Sequence, residues 1–202
     1  MDAELSLADP LKVTLKLTAA LEALGIRYAV GGSLASSLHG VPRATQDVDV
    51  VAEVGLGQID ALAGALDKDF VVEPPAMREA VLRRSSFNII DREEVFKLDV
   101  FVPGADPLAR SQMDRRMRYE LAGAPGATLY LCCAEDTVAH KLYWYQLGGR
   151  VSERQWTDAL NVLRVQAGAL DMDYLNRVAA ARGVAELLDK ALAEAQSAAG
   201  GS

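Results

Sequence analysis

The sequence predicts a mixed α/β core followed by a bundle of helices. Up to about residue 131, short runs rich in β-branched and aromatic residues alternate with helical patterns, whereas only helical patterns remain from Ala134 onward. We therefore expect a core over residues 1–131, with a mixed, twisted sheet and helices packed on one side, and a C-terminal helical segment over residues 132–202. Residues 198–202 are expected to form a frayed tail.

The individual elements follow from the spacing of apolar residues. Recurrence every three to four positions predicts helices at 11–24, 34–38, 59–66, 134–147, 152–166, 172–181 and 184–198. Shorter apolar and β-branched runs predict strands at 27–30, 47–53, 70–73, 86–91, 95–102, 116–121 and 128–131.

Composition limits the classes of function. The chain has 202 residues, half of them hydrophobic, which is enough for a substantial core. Its net charge of −7 argues against broad nucleic-acid binding, so an RNA substrate would need a local basic patch, and residues 78–84 and 110–118 are the candidates. Cys132 and Cys133 are adjacent and are expected to be buried free thiols in a reducing cytoplasm. The acidic start and the absence of an apolar run of membrane-spanning length predict a cytoplasmic protein with no membrane partner.

A strand that ends in a glycine-rich turn forms the first candidate site. The apolar residues of the predicted strand at 27–30 end at Gly31 and Gly32, and Ser33 is predicted to cap the helix that follows. Two glycines allow the backbone to approach an anion closely, and a helix N-terminus presents unpaired N–H groups and the positive end of its dipole. The turn therefore predicts a binding site for a triphosphate.

A pair of aspartates supplies the second candidate site. Asp47 and Asp49 lie two residues apart in a predicted strand, so their side chains share one face. Parallel carboxylates repel unless a cation lies between them, and Mg²⁺ prefers oxygen ligands shared with substrate phosphates. Two other aspartate pairs are interpreted as ordinary. The pair at 67 and 69 lies where a helical pattern gives way to a strand, and the pair at 171 and 173 forms the N-cap and first turn of a helix. The alternative for Asp47 and Asp49 is a solvated strand face beside an incidental turn.

A third carboxylate lies in the predicted strand at 95–102. Asp99 stands there among apolar and β-branched residues, which makes it a candidate third ligand. The alternative interpretation is a strand aspartate that pairs with Lys97 or with an arginine.

These residues resemble the nucleotidyltransferase superfamily with the DNA polymerase β-like fold. Within it, the match is closest to the small AbiEii-like, MNT-type proteins of bacterial toxin–antitoxin and phage-defence systems. The resemblance covers residues 26–53 and 95–102 and, more loosely, 134–163, and it rests on Gly31-Gly32-Ser33, His39-Gly40, Arg43-Ala44-Thr45, Asp47-Val48-Asp49 and Asp99. It implies that the turn Gly31 to Ser33 holds the triphosphate and that Asp47, Asp49 and Asp99 bind two Mg²⁺ ions, for which Mn²⁺ could substitute.

Basic residues would complete the nucleotide site. The resemblance implies that Lys141 neutralises phosphate charge, while a solvated helix lysine is the alternative. Arg43 could fold over the phosphates or bind an acidic partner. Arg154 and Asp158 are spaced for an ordinary helical salt bridge. His39 is interpreted as structural.

The implied activity is transfer of a nucleoside monophosphate from an NTP, with release of pyrophosphate, in a cleft between the core and the helical segment. Asp99 would join the other aspartates on the catalytic metal or deprotonate the acceptor hydroxyl. The expected acceptor is a tRNA-like RNA or a protein, and a cognate toxin or antitoxin protein is a further expected partner. Two alternatives stay open: a small-molecule modifier of the aminoglycoside nucleotidyltransferase type, and a catalytically silent, antitoxin-like interaction protein.

Overall fold

The computed structural model describes residues 5–45, 47–121 and 126–199. The helices within these ranges are α1 (Leu5–Ala23), α2 (Gly32–His39), α3 (Ile59–Leu66), α4 (Pro74–Arg83), α5 (Pro107–Asp114), α6 (Ala134–Leu147), α7 (Glu153–Val165), α8 (Met172–Ala181) and α9 (Ala185–Ala199). The strands are β1 (Tyr28–Val30), β2 (Asp47–Ala52), β3 (Phe70–Val71), β4 (Ser86–Asp91), β5 (Lys97–Phe101), β6 (Met117–Glu120) and β7 (Thr128–Leu131).

The chain divides into two compact units. The first consists of Met1–Gly31 and Ala44–Leu131, and the second of Gly32–Arg43 and Cys132–Ser202. All seven strands belong to the first unit. The second unit joins α2, which comes early in the chain, to the four helices that follow β7.

The first unit is built on a mixed seven-stranded sheet, as the sequence predicts. Its strand order is β3-β4-β5-β2-β1-β7-β6, with β2 parallel to β5, β1 parallel to β7 and the remaining neighbours antiparallel. Successive side chains of a strand point to opposite faces, and in β2, β4 and β5 one of these faces is buried. Helices α1 and α4 contact strands β2 and β4 respectively, and α3 lies between these two helices. The opposite face of β2 and β5 carries the candidate aspartates.

The second unit packs helix on helix. Helix α6 packs against α7 and α8, α7 packs against α9, and α2 contacts both α6 and α7. A Cβ atom on Gly40, just after α2, would lie 2.9 Å from the carbonyl oxygen of Ser36 and 3.0 Å from the backbone nitrogen of Val162. Glycine therefore lets the end of α2 approach the α7 backbone more closely than any residue with a side chain would.

Several element predictions need correction. Helices α4 and α5 were not predicted, although Pro74 and Pro107 open them at a position where proline is favoured. Helix α1 begins at Leu5 and not at residue 11. Helix α2 begins at Gly32, so Ser33 lies in its first turn and is not its cap. The predicted ends of all the strands named above lie within two residues of the observed ends. The predicted tail lies outside the described residues from residue 200 onward.

The predictions for the two cysteines and for Asp171 agree with the structure. Cys132 and Cys133 are buried free thiols directly after β7. Asp171 caps α8 by accepting a hydrogen bond from the Tyr174 backbone N–H, 3.0 Å away. Two arginines of the basic cluster at 78–84 form exposed ion pairs. Arg78 pairs with Asp60, and Arg83 pairs with Glu79, one turn earlier on α4. Across the described ranges, no helix combines the length and the apolar character that crossing a bilayer requires.

Candidate functional site

Three aspartates share one face of the sheet in the first unit. Strands β2 and β5 run parallel, and their register places Asp49 opposite Asp99 and Asp47 opposite Lys97. Residues paired in this way point to the same face, and the alternating pattern buries Val48 and the other apolar residues on the opposite one. The sequence predicted a shared face for the pair in β2, and the strand register adds Asp99 to it. We call Asp47, Asp49 and Asp99 the acidic face.

Lys97 lies on the same face. Its Nζ atom donates a hydrogen bond to Oδ2 of Asp99 at 2.6 Å. This hydrogen bond is the main cause of the raised pKa of Lys97, and the negative charges of Asp99, Asp47 and Asp49 raise it further, whereas partial burial lowers it. The pairing that the sequence analysis gave as the alternative for Asp99 is therefore present, and it occurs within the acidic face.

The turn after β1 is joined to the acidic strand by its backbone. The N–H of Gly31 donates to the carbonyl oxygen of Asp49 at 2.8 Å, so the end of β1 is held beside the second aspartate. Gly32 follows with φ of +56°, in the left-handed region that favours glycine. Helix α2 starts at this glycine, two residues earlier than the sequence predicted.

A buried ionic network surrounds the first turn of α2 in the second unit. Asp158 on α7 accepts hydrogen bonds from Nε and Nη2 of Arg43 at 2.7 and 2.6 Å, and its Oδ2 lies 2.8 Å from Nζ of Lys141. Nη2 of Arg43 also donates to the Ser33 hydroxyl at 2.8 Å, and Nζ of Lys141 lies 3.5 Å from the same oxygen. We call Ser33, Arg43, Lys141 and Asp158 the cationic cluster, because it carries two positive charges and one negative charge.

Burial makes this network energetically important. The side chains of Lys141 and Asp158 are only 5% and 6% exposed. Burial by itself would raise the pKa of Asp158, but the hydrogen bonds and charges of Arg43 and Lys141 outweigh it and hold the pKa below its ordinary value. Lys141 is thus not the solvated helix residue of the alternative interpretation. Asp158 makes its ion pairs with Arg43 and Lys141, so the expectation of an ordinary helical salt bridge to Arg154 misses its main role.

His39 has a structural position at the end of α2. Its Nε2 atom lies 2.8 Å from the Cys132 carbonyl oxygen, and its own carbonyl oxygen accepts a hydrogen bond from Gln166 at 2.8 Å. Burial lowers the pKa of His39 despite the hydrogen bond to Cys132, so the imidazole is neutral near pH 7 and donates to that carbonyl. These contacts fix α2 within the second unit and agree with the interpretation from sequence.

Three solved structures are similar to this chain in fold. Two structures of the antibiotic-resistance factor ANT(2'')-Ia align with TM-scores of 0.52 and 0.54 at 17% and 16% identity, covering 89% and 85% of this chain and 96% and 95% of theirs. An antigenic nucleotidyltransferase-like protein from Paracoccidioides brasiliensis aligns with a TM-score of 0.51 at 19% identity, covering 91% of this chain and 92% of its own. The chain has the nucleotidyltransferase fold. Neither a protein-family model nor a curated protein matches the sequence, so the likeness lies in the fold.

The motif resemblance to nucleotidyltransferases implies a divalent cation, and the donor chemistry of the acidic face fits one. Carboxylate oxygens at adjoining positions of two paired strands are the hard ligands that Mg²⁺ and Mn²⁺ take. As the side chains stand, no three His, Cys, Asp or Glu residues in the described part of the chain are gathered closely enough to enclose a metal ion. The Lys97 ammonium contacts one of these carboxylates, that of Asp99.

The structure thus groups the predicted site residues into two sets. Asp47, Asp49 and Asp99 share one sheet face in the first unit, where Gly31 binds the Asp49 backbone. Ser33, Arg43 and Lys141 are in contact in the second unit. Sequence reasoning gave the pairing of Lys97 with Asp99 only as an alternative, and it missed the ion pairs of Asp158. Lys97 stands two residues before Asp99, which places it on the same strand face, and this spacing was available as a signal. Asp158 gave no such signal, because its partners are 115 residues away at Arg43 and on a different helix at Lys141.

Proposed function

We propose that this protein is a metal-dependent nucleotidyltransferase, which transfers a nucleoside monophosphate from an NTP to an acceptor and releases pyrophosphate. One observation carries the proposal: Asp49 and Asp99 are paired in register on a sheet face that also holds Asp47. The turn after β1 lies beside them, because the Gly31 N–H donates to the Asp49 carbonyl oxygen. The nucleotidyltransferase fold supports it.

The acidic face would hold the metal ions through Asp47, Asp49 and Asp99. Bound Mg²⁺ supplies neutralisation of the triphosphate and of the charge that develops as pyrophosphate leaves. The backbone N–H groups of the first turn of α2 bind phosphate oxygens in this proposal, as helix N-termini commonly do. Arg43 and Lys141 add positive charge there, and Asp158 positions both side chains through its ion pairs.

For the acceptor, we propose an RNA or a protein in a toxin–antitoxin or phage-defence setting. The motif resemblance over residues 26–53 supports this choice, and a cognate toxin or antitoxin protein would be the further partner. An RNA acceptor would depend on local basic residues, because the whole chain carries a net charge of −7.

The second candidate acceptor is a small polycationic molecule. Three carboxylates on one sheet face favour a positively charged substrate, and so does the overall negative charge. One structure of ANT(2'')-Ia, which has the same fold, is a complex with adenylyl-2''-tobramycin. The aminoglycosides are accordingly the first small molecules to test.

Incubation of the purified protein with each α-labelled NTP and Mg²⁺ separates these candidates. Total RNA, a protein extract and an aminoglycoside mixture serve as acceptors in parallel reactions, and Asp49→Asn serves as the control variant. We expect label in the RNA or protein fraction with wild type and none with the control. Label only in the aminoglycoside fraction would favour the second candidate, and absence of label from every fraction would favour the catalytically silent interaction protein.

A further inference from the structure

Lys97 is placed to interact with the whole acidic face and not with Asp99 alone. It lies opposite Asp47 in the strand register and two residues before Asp99 on the same strand. Its Nζ atom is 2.6 Å from Asp99, while its side chain is 45% exposed and that of Asp99 only 17% exposed. The ammonium therefore reaches in from solvent to a carboxylate that is more buried than the lysine itself.

We infer that the Lys97 ammonium is a built-in counter-cation of the acidic face, which divalent cations have to displace and which thereby sets their affinity. The inference rests on the proposed function only in that the acidic face binds divalent cations. Three carboxylates at adjoining positions repel one another, and a positive charge beside them offsets this repulsion. A bound divalent cation would supply the same compensation more strongly and would repel the ammonium. The flexible four-carbon stem of lysine, half exposed here, gives the displaced ammonium a path into water.

Mn²⁺ binding to the full chain without nucleotide tests this inference directly. Free Mn²⁺ is counted by electron paramagnetic resonance during titration of wild type, Lys97→Met and Lys97→Arg. Lys97→Met keeps the length of the side chain and removes its charge, and we expect its Mn²⁺ Kd to fall by about tenfold. Lys97→Arg keeps the charge and should stay close to wild type or bind Mn²⁺ more weakly.

Lys68→Met is the matched control, because Lys68 is an exposed lysine on the loop after α3 and its removal changes the net charge equally. Its Mn²⁺ Kd should equal that of wild type. A second measurement uses thermal unfolding. Because it lacks the counter-cation, Lys97→Met should have a lower Tm than wild type in EDTA. Addition of Mn²⁺ should raise its Tm by more than it raises that of wild type.

The outcomes separate the inference from the proposed function. Equal Mn²⁺ affinity in wild type and Lys97→Met, or equal tightening in Lys68→Met, would overturn the inference. Absence of Mn²⁺ binding in both wild type and Lys97→Met would overturn it together with the metal site. Tighter Mn²⁺ binding by Lys97→Met, with unchanged binding by Lys68→Met, supports the inference. If wild type then transfers no label from any NTP, only the proposed function fails.

Discussion

The cationic cluster gives the most quantitative prediction, through Asp158→Ala. The Asp158 side chain is 6% exposed and pairs with Arg43 at 2.6 Å and with Lys141 at 2.8 Å, and Lys141 is itself 5% exposed. Removing one partner of a buried ion pair costs about 3–5 kcal/mol, because the remaining charge stays in a poorly solvated place. For a chain of this length, that free energy corresponds to a fall in Tm of roughly 6–20 °C. Thermal unfolding followed by circular dichroism measures it.

Asp60→Ala is the control for this prediction. Asp60 also pairs with an arginine, Arg78, but its side chain is 79% exposed. Exposed pairs contribute about 0–1 kcal/mol, so its Tm should change by only a few degrees. Similar melting of the two variants would refute the reasoning, because the Asp158 pairs are expected to be costly to break on account of their burial and of the two cations that share this carboxylate.

The same carboxylate makes stability depend on pH. Its pKa in the folded protein lies below the ordinary value of 3.8, so the ionised form contributes stability that is present above pH 3.8 and is lost as the pH falls through the folded pKa. The difference in unfolding free energy between wild type and Asp158→Ala should therefore shrink at acidic pH. A difference that grows on acidification would contradict the assigned direction.

Four further substitutions and one control test the other parts of the site. Asp49→Asn and Asp99→Asn should each lower label transfer by about 10²-fold or more, since each removes a proposed metal ligand, and full transfer by either variant would exclude the metal role. Asp49→Asn should leave Tm unchanged or raised, because it also removes one repelling charge. Gly32→Ala should lower Tm, because a φ of +56° costs a residue with a Cβ atom about 1–2 kcal/mol, and calorimetry should show weaker NTP binding. Gly57→Ala is its control, because a Cβ atom at Gly57 meets open space, and this variant should change neither Tm nor NTP affinity. Lys141→Met should raise the Kd for NTP and leave Mn²⁺ affinity unchanged, and unaltered NTP affinity would leave Lys141 only its structural pairing with Asp158.

The parts of the fold that depend on local patterns could be predicted from sequence. Alternation along β2 correctly placed Asp47 and Asp49 on one face, with Val48 and Val50 buried on the other. The placement of Asp99 opposite Asp49 depends on pairing between strands about 50 residues apart, which no local pattern encodes. The likeness of motifs to the nucleotidyltransferases suggested that the three aspartates act together, and the strand register shows how they share a face.

The failures of prediction have identifiable physical causes. Helix α5 carried a local signal, since Asp106 caps it by accepting a hydrogen bond from the Ala109 N–H and Pro107 follows the cap, but the arginines near it were interpreted as a basic patch. Asp158 could not be assigned from spacing, because helical periodicity pairs it with Arg154 while tertiary packing pairs it with Arg43 and Lys141. Residues Gly32–Arg43 likewise cluster with the C-terminal helices through contacts with distant parts of the chain.

The position of the label after reaction tests the central claim most directly. Transfer of a nucleoside monophosphate leaves the α-phosphorus on the acceptor and releases the β- and γ-phosphorus as pyrophosphate. With Mg²⁺ and the acceptor fraction, the account predicts that α-labelled NTP labels the product, that γ-labelled NTP yields labelled pyrophosphate, and that both results vanish with EDTA and in Asp49→Asn. Label from γ-labelled NTP in the product, or transfer that persists in EDTA, would contradict the account.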